Sequence, residues 1–267
     1  MPPPTASRSS ALPTPGAGDP AGLVHLPHAP LPDYYRSDDE AERERFLRRT
    51  FDDTAVDYDR LEKILGLGTG SWYRRQALQR AGLRRGMQVV DVGMGTGLVS
   101  REILRLTGEP ARLVGVDPSP GMMGQARFDV PVECRVGRAE AIPVPDASAD
   151  FVVMGYALRH IADFAAAAAE FRRVLRPGGR LLILEITRAE SRWGNALLKA
   201  YMRGAVPLLA RAVSKAEATP MLWRYYWDTI EACVPPAEVM RTLAAHGLAE
   251  VDRHVELGIF SEYRARG

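Results

Sequence analysis

The feature that most constrains this chain is the stretch V-V-D-V-G-M-G-T-G-L at residues 89–98, where an apolar run leads into a turn with alternating glycines. Val89, Val90 and Val92 are β-branched and apolar, as expected of a strand that is covered on both faces. A glycine has no Cβ atom, so it allows a tight turn and the close approach of a ligand to the backbone. The stretch therefore predicts a buried strand, a ligand-binding turn and a following helix. The turn glycines are Gly93, Gly95 and Gly97.

A second apolar run at 113–116 ends on Asp117, about twenty residues after the last turn glycine. An acidic side chain at this position accepts hydrogen bonds from ribose hydroxyls. The turn has Leu98 where the dinucleotide-binding pattern G-x-G-x-x-G has its third glycine. With Asp91 ahead of the first glycine, the turn resembles motif I of the class I S-adenosylmethionine (SAM) methyltransferases. That resemblance implies SAM as the cofactor and S-adenosyl-L-homocysteine as its product.

Composition and charge limit the partners and the compartment. The formal net charge is +2, from 35 Lys and Arg against 33 Asp and Glu, which provides no strong field for a nucleic acid. Cys134 and Cys233 stand far apart and form no C-x-x-C, so the sequence indicates neither a metal site nor a disulfide framework. No apolar run is long enough to span a membrane, and the N-terminus has no signal-peptide pattern. We expect a soluble cytoplasmic protein.

Motifs typical of nucleic-acid methylation are missing from the sequence. DNA enzymes that methylate amino groups carry D/N-P-P-Y/F after the fourth strand, where this chain has G-Y-A-L at 155–158. Cytosine C5 enzymes need a Pro-Cys nucleophile, but Glu133 and Ala232 precede the two cysteines. We therefore expect no nucleic-acid substrate.

The N-terminal part divides into a tail and a helical cap. Residues 1–36 are rich in Pro, Ala and Gly and are expected to be disordered, because such a composition buries too little apolar surface. Residues 37–84 are expected to form a cap of three helices. The first begins at a capping box, Ser37 followed by Glu40, the second begins near Asp53, and the third covers about 71–81.

From residue 85 to 187, apolar runs and helical patterns alternate, which predicts a doubly wound, mostly parallel α/β sheet. The expected strands are 87–92, 112–117, 132–136, 151–154 and 180–186, and the expected helices are about 96–107, 119–127 and 165–175. Residues 188–235 predict an inserted helical lid. Residues 236–267 predict a helix at about 236–246 and two strands near 251–256 and 258–263, which complete the sheet.

Six motifs, in this order along the chain, resemble those of the ubiquinone/menaquinone biosynthesis C-methyltransferase family. The resemblance covers about residues 45–265 and implies a seven-stranded, Rossmann-like class I methyltransferase fold. Two residues depart from the family pattern: His160 stands where Asn is common, and Arg138 stands where Asp or Asn is common. The motifs are F-D-D-T-A-V-D-Y-D (51–59), V-D-V-G-M-G-T-G (90–97), V-D-P-S-P-G-M-M (116–123), R-A-E-A-I-P-V-P-D (138–146), A-L-R-H-I-A-D (157–163) and R-V-L-R-P-G-G-R-L-L-I-L-E (173–185).

The glycine turn and the resemblance together assign a set of cofactor-binding residues. Arg138 weakens the expected adenine contact, because a guanidinium cannot accept a hydrogen bond from the exocyclic amine, although the backbone N–H of Ala139 can still serve the ring. For Tyr58, packing alone is an equally good interpretation. The set is Tyr58, Asp91, Gly93, Gly95, Thr96, Gly97, Asp117, Pro118, Met122, Arg138, Ala139, Glu140 and Tyr156.

Arg159 and His160 are the candidate catalytic residues, because they follow the fourth strand at the end where open α/β sheets bind ligands. Methylation of a carbon ortho to a hydroxyl needs a base for the hydroxyl proton and a cation beside the phenolate. By resemblance, Arg159 orders a water that deprotonates a quinol. The alternative is structural: Arg159 pairs with Asp163 one turn away, and His160 only packs.

The predicted lid carries more apolar and aromatic side chains than a surface helix pair needs. At least half of them can complete a core, and we expect the rest to line a pocket over the SAM methyl group, with Tyr225 or Tyr226 contacting the acceptor oxygen. We expect one face of the first lid helix to carry Leu197, Leu198, Tyr201, Met202, Val206, Leu208 and Leu209. The next helix carries Met221, Leu222, Trp223, Tyr225, Tyr226 and Trp227.

The sequence favours a SAM-dependent methyltransferase that acts on a carbon of a small lipophilic acceptor, a quinol or a phenol. Two alternatives stay open. One is a small-molecule O-methyltransferase or an isoprenoid or terpenoid C-methyltransferase of secondary metabolism. The other is an inactive SAM-binding assembly or regulatory subunit. A homodimer and a peripheral membrane contact also stay open.

Overall fold

The computed structural model describes residues 34–35, 40–65, 69–189, 191–208 and 219–267. The predicted tail, apart from Tyr34 and Tyr35, lies outside the described residues, and so does Ser37 of the predicted capping box.

A seven-stranded sheet forms the centre of the described chain, in the order β3-β2-β1-β4-β5-β7-β6. Strands β1 to β5 run parallel to one another, and β7 runs antiparallel to both β5 and β6. The predicted doubly wound, mostly parallel sheet with two terminal strands is confirmed. The strands are β1 (Val89–Val92), β2 (Leu113–Asp117), β3 (Glu133–Val136), β4 (Ala149–Gly155), β5 (Leu175–Ile186), β6 (Ala249–Glu256) and β7 (Phe260–Arg266).

Helices connect the strands and cover both faces of the sheet. Buried apolar side chains of β1, β4 and β5 alternate between two clusters, one on each face, as a doubly wound sheet requires. The helices are α1 (Glu40–Leu65), α2 (Gly70–Arg80), α3 (Leu98–Thr107), α4 (Pro120–Gln125), α5 (Phe164–Val174), α6 (Arg192–Ala200), α7 (Thr219–Ala232) and α8 (Pro236–Ala245).

The N-terminal cap differs from its prediction, because α1 is one continuous helix where two were expected. Asp53 does not begin a second helix and is exposed on α1. Arg43, Thr50, Thr54 and Asp57 are all buried, and their spacing keeps one helix face in phase across the predicted break. The burial of this single face explains why the helix continues.

The terminal hairpin is also shifted from its prediction, since β7 begins at Phe260 rather than near residue 258. Leu257 and Gly258 have φ angles of 52° and 73° and form the turn between β6 and β7. A glycine adopts this left-handed backbone without strain, which accounts for one of the two turn positions.

The lid prediction is wrong about which side chains share a face. Leu197 and Leu208 are 73% and 65% exposed, whereas Met202 and Val206 are buried. A π-helical turn at Tyr201–Ala205 follows α6, and the wider turn changes the phase of the side chains that come after it. Leu209 lies outside the described residues.

Most of the predicted lid residues on α7 form a core rather than a pocket. Trp223, Tyr225 and Trp227 belong to a buried cluster with Met202 and Val206, and side chains of α1 pack against it. The cluster joins α7 to α1, and both helices thereby cover the carboxyl end of the sheet.

Candidate cofactor and acceptor site

A cavity of about 440 Å³ lies at the carboxyl ends of β1, β2 and β4, under α1 and α7. This volume is typical of a small-molecule site. Most of the predicted site residues line it: Tyr58, Gly93, Gly95, Thr96, Asp117, Pro118, Met122, Arg138, Ala139, Glu140, Tyr156, His160 and Tyr226. Four predicted residues do not line it: Asp91, Gly97, Arg159 and Tyr225.

The glycine turn after β1 has no room for larger residues. The N–H of Gly93 donates to the carbonyl of Val116 on β2 (2.7 Å), and a Cβ atom at Gly93 would lie 2.6 Å from that of Ala157. Gly97 begins α3 with a φ of 81°, and a Cβ atom there would lie 2.6 Å from the ring of Phe128. Gly97 therefore shapes the turn from behind the cavity wall.

Asp117 at the end of β2 points its carboxylate at this turn. One oxygen accepts from the N–H of Gly95 (2.8 Å), and the other accepts from the N–H of Ser119 (2.8 Å). Burial raises the pKa of Asp117 to about 6, although these two hydrogen bonds favour the ionised form. Each carboxylate oxygen keeps a further lone pair, so the group can also accept from the hydroxyls of a ligand.

Asp91 lies within β1 and is completely buried, away from the cavity wall. Its Oδ2 accepts from the hydroxyl of Ser100 on α3 (2.6 Å). Burial raises the pKa of Asp91 to about 7, and the nearby charge of Asp117 adds to the rise. In the structure this predicted cofactor residue joins strand to helix beneath the turn.

Thr96 links the glycine turn to α1, because its hydroxyl donates to the carboxylate of Asp59. Arg101 on α3 also donates to Asp59 (2.5 Å) and to the carbonyl of Thr96 (2.8 Å). The turn is thereby fastened on both sides, and Asp59 was not among the predicted site residues.

Tyr156 follows β4 with a φ of 60°, which is uncommon for a residue other than glycine. Its N–H donates to the carbonyl of Leu184 on β5 (2.8 Å), which continues the sheet pairing and helps to hold this backbone. Strained residues of this kind concentrate at functional sites, and Tyr156 lines the cavity.

Arg138 lines the cavity and forms ion pairs on two sides. It pairs with Glu44 on α1, and its Nε lies 3.6 Å from Glu140. Glu140 also accepts from the N–H groups of Ala162 (2.6 Å) and Asp163 (3.2 Å). Arg138, one of the two departures from the family pattern, thus connects α1 to the core beside the cavity.

His160 lies in the cavity wall, within a cluster of aromatic rings. Its Nδ1 is 3.3 Å from the hydroxyl of Tyr225, and its ring makes an edge contact with Phe51 at 5.1 Å between centroids. Arg43 of α1 donates to the backbone carbonyls of His160 and Ile161 (2.8 Å each). These contacts fix the imidazole in the wall.

Arg159 points away from the cavity and is 1% exposed. It forms an ion pair with Glu185 at the end of β5, and its Nε donates to Thr229 on α7 (3.2 Å). The alternative pairing of Arg159 with Asp163 is wrong, because Arg159 pairs with Glu185 instead. Asp163 is the N-cap of α5 and accepts from the N–H of Ala166 (3.0 Å).

Tyr226 is the residue of the predicted lid that lines the cavity, and the guanidinium of Arg159 lies 5.6 Å from the centre of its ring. Its hydroxyl donates to that of Tyr58 (3.3 Å). Burial raises the pKa of both phenols, so both keep their protons as hydrogen-bond donors. Tyr225 lies behind the wall and reaches the site through His160.

Apart from Tyr58, the cavity wall that α1 provides was not predicted from the sequence. The amphipathic pattern of α1 and the F-D-D-T-A-V-D-Y-D motif were the available signals, but neither shows which face of the helix meets the sheet. The missed side chains are Arg43, Glu44, Leu47, Arg48 and Phe51.

Within 34–35, 40–65, 69–189, 191–208 and 219–267, no group of three or more His, Cys, Asp or Glu side chains could hold a metal ion. Among the helices of the same residues, none is long and apolar enough to cross a membrane.

The strand order, the glycine turn after β1 and the acid after β2 define a class I SAM-dependent methyltransferase. The sequence profile of the ubiE/COQ5 methyltransferase family matches residues 39–262, and the chain belongs to this family. The family and the fold make it a SAM-dependent methyltransferase. The glycine turn and Asp117 are suited to such a cofactor, since Gly93 and Gly95 line the cavity and Asp117 keeps acceptors for hydroxyls.

Relatives of known name support the family assignment. The chain is 32% identical to the ubiquinone/menaquinone biosynthesis C-methyltransferase UbiE of Geobacter sulfurreducens, over 86% of this chain and 90% of that protein. It is 34% identical to the demethylmenaquinone methyltransferase of Mycobacterium sp. strain KMS, over 75% and 84% respectively. Both relatives are covered along most of their length.

Solved structures support the fold. A SAM-dependent methyltransferase from Thermotoga maritima matches with a TM-score of 0.58 and 21% identity, over 82% of this chain and 99% of that one. Phosphoethanolamine N-methyltransferase 2 of Haemonchus contortus in complex with SAM matches with a TM-score of 0.55 and 20% identity, over 79% and 45%. At this identity the likeness concerns the fold alone.

Proposed function

We propose that this chain transfers the methyl group of SAM to a carbon atom of a small lipophilic acceptor, a quinol or a phenol. One observation carries the proposal: the same cavity is lined by the glycine turn and Asp117 and also by His160, Phe51 and Tyr226. The first set suits a nucleoside, and the second suits an aromatic ring with a hydroxyl. The names of the two relatives, which refer to quinone biosynthesis, agree with this acceptor class.

In this proposal, the glycine turn and its neighbours would hold the cofactor. Asp117 would accept from the ribose hydroxyls, and Pro118 and Met122 would border the bound nucleoside. Arg138 is already paired with Glu44, so it offers the adenine no acceptor and instead holds α1 over the bound ligand.

When bound, SAM supplies an electrophilic methyl group on a sulfonium and leaves as S-adenosyl-L-homocysteine. The chain's own task is to align the acceptor carbon in a dry cavity and to raise its electron density. His160 takes the proton of the acceptor hydroxyl, and the ring electrons then form the new bond to the methyl carbon. The proton on that ring carbon then passes to solvent, which restores the aromatic ring as a phenolate, and His160 returns its proton to the phenolate oxygen, so each turnover releases one proton.

Arg159 acts in this account through its neighbours, since it does not line the cavity. Its charge lies beside the ring of Tyr226 and is balanced by Glu185. We infer that it positions Tyr226, whose hydroxyl and that of Tyr58 contact the acceptor oxygen. The role of ordering a water, which the family resemblance implies, would require an opening between Arg159 and the cavity.

Apolar side chains complete the acceptor half of the cavity. Leu47 and Phe51 of α1 and Ile161 after β4 line it. They exclude water from the reaction and provide an apolar surface for the ring or the first part of a hydrophobic tail.

The proposal is tested by measuring release of S-adenosyl-L-homocysteine with a panel of demethylated quinols, phenols, catechols and prenyl diphosphates. We expect turnover with a quinol or a phenol. Turnover only with catechol oxygens or prenyl diphosphates would favour the O-methyltransferase or isoprenoid alternative. SAM binding without turnover on any acceptor would favour a regulatory subunit. A cytoplasmic location, a homodimer and a peripheral membrane contact stay predictions.

A further inference from the structure

The segment after the core carries a row of apolar side chains that face outward. Trp193 and Leu197 of α6 are 89% and 73% exposed. Tyr201 and Leu208, in the π-helical turn and just after it, are 38% and 65% exposed. Trp193, Leu197 and Tyr201 are four residues apart, so they form one stripe along the helix.

This arrangement is the reverse of an ordinary surface helix, which turns its apolar stripe toward the core. None of the residues of α6 is buried, and Leu198 is its one side chain among those packed against the neighbouring cluster. Scattered exposed apolar residues are normal, but a row that includes a tryptophan marks a surface that is covered by something else.

The charge of the same segment is one-sided. Residues 191–208 contain three basic residues, Arg192, Lys199 and Arg203, and no Asp or Glu, although the whole chain is nearly balanced. Lys199 lies 3.0 Å from Glu231 and Arg203 lies 3.8 Å from Asp228, but both remain nearly half exposed.

We propose that the stripe of Trp193, Leu197 and Tyr201 docks on an anionic lipid bilayer. Tryptophan, tyrosine and leucine insert well at the boundary between headgroups and acyl chains, and flanking lysines and arginines are attracted to anionic headgroups. A second copy of the chain is disfavoured as the occupant, because a two-fold contact would bring two segments of the same positive charge together.

The docking surface is separated from the proposed site by α7. Met202 and Val206 of the segment pack in one cluster with α7, and α7 carries Tyr226 in the cavity wall. The purpose of docking rests on the proposed function, since a lipophilic acceptor is concentrated in a bilayer. The lipid contact itself rests on the exposed stripe and its charge.

Flotation of the full chain with vesicles tests the proposal. The vesicles contain phosphatidylcholine alone or phosphatidylcholine with phosphatidylglycerol. We expect binding to the anionic vesicles that weakens with salt, and a loss of roughly tenfold or more in Leu197→Glu and Trp193→Ala. Trp72→Ala is the matched control, because Trp72 is 54% exposed on α2, which packs in a different apolar cluster from α6, and its loss should leave binding unchanged.

Three further readouts decide between explanations. SAM affinity and circular dichroism of the variants should equal those of the wild type, because the substituted side chains lie outside the cavity and the core. Equal vesicle binding by wild type and both variants would overturn the proposal, as would no binding at all. Dissociation of a dimer by Leu197→Glu, without vesicle binding, would assign the stripe to a second copy. Turnover of a short-tailed acceptor without vesicles tests the proposed function separately.

Discussion

Asp117 at the end of β2 accepts a 2.8 Å hydrogen bond from the backbone N–H of Gly95 in the turn after β1. The carboxylate is thereby held beside the backbone of a turn that lines the cavity. The same contact joins the two sequence signals that predicted a nucleoside site, the glycine turn and the acid about twenty residues later.

Replacing this carboxylate should weaken SAM binding. A hydrogen bond to a charged group contributes about 1.5–3 kcal/mol, so Asp117→Ala should raise the SAM dissociation constant at least about tenfold in calorimetry. Because the pKa of Asp117 is raised to about 6, the wild-type affinity should increase as the pH rises through 6 and the carboxylate ionises. Asp252→Ala, at the exposed sheet edge, serves as the control. An unchanged affinity in Asp117→Ala would contradict the assignment.

His160 should affect turnover much more than SAM binding. A general base contributes about a hundredfold or more to a rate, so His160→Asn should lower kcat by about that factor while the SAM dissociation constant changes little.

Tyr225→Phe provides a comparison for His160, because it removes only the hydroxyl that lies 3.3 Å from Nδ1. We expect a smaller loss of kcat than in His160→Asn. Near wild-type turnover in His160→Asn at every pH would mean that His160 only packs.

Arg159 and Glu185 form a buried ion pair, so breaking it should destabilise the protein. Loss of one partner leaves an uncompensated buried charge, and Arg159→Ala should lower the free energy of unfolding by about 3–5 kcal/mol in urea. Glu185→Gln in the same chain should recover part of that loss. Arg241→Ala, which breaks an exposed pair with Glu238, should cost at most about 1 kcal/mol. Equal small losses in Arg159→Ala and Arg241→Ala would contradict the account.

Asp91 should make the apoprotein less stable as the pH rises. Burial raises its pKa from 3.8 to about 7, so the folded state holds a proton that the unfolded state releases between these values. The contribution of Asp91 to the free energy of unfolding should therefore be most favourable below about pH 4. This contribution should become less favourable as the pH rises to about 7. Asp91→Asn keeps an acceptor for Ser100 but removes the charge.

The comparison between wild type and Asp91→Asn isolates this contribution from other titrating groups. The variant should be more stable relative to wild type at pH 8 than at pH 5, in urea unfolding without SAM. With one pKa unit worth about 1.4 kcal/mol, the change between the two conditions is expected to be a few kcal/mol. The same difference at both pH values would show that Asp91 keeps an ordinary pKa.

Local patterns were sufficient to predict the sheet and the cofactor half of the site. The glycine turn, the valines before it and Asp117 each report on a few neighbouring residues. The strand bounds follow within three positions except in β5, which begins at Leu175, five residues before the predicted start at 180. The family motifs also led to Tyr58 and Tyr156, which line the cavity although no local periodicity assigns them there.

Contacts between distant segments could not be predicted in this way. Thr96 donates to Asp59, 37 residues earlier, and Arg159 pairs with Glu185, 26 residues later, rather than with Asp163 one turn away. Both partners are set by how α1 and β5 pack against the core. The lid failed for a different reason, because a π-helical turn changes the phase on which a 3.6-residue pattern depends.

The most direct test of the central claim is to locate the transferred methyl group. The protein is incubated with SAM that carries a ¹³C-labelled methyl group and with a demethylated quinol, and the product is examined by NMR. The account predicts that the labelled methyl is attached to a ring carbon next to a hydroxyl, and that His160→Asn forms much less of the same product. A labelled methyl on oxygen, or SAM binding with no labelled product, would contradict it.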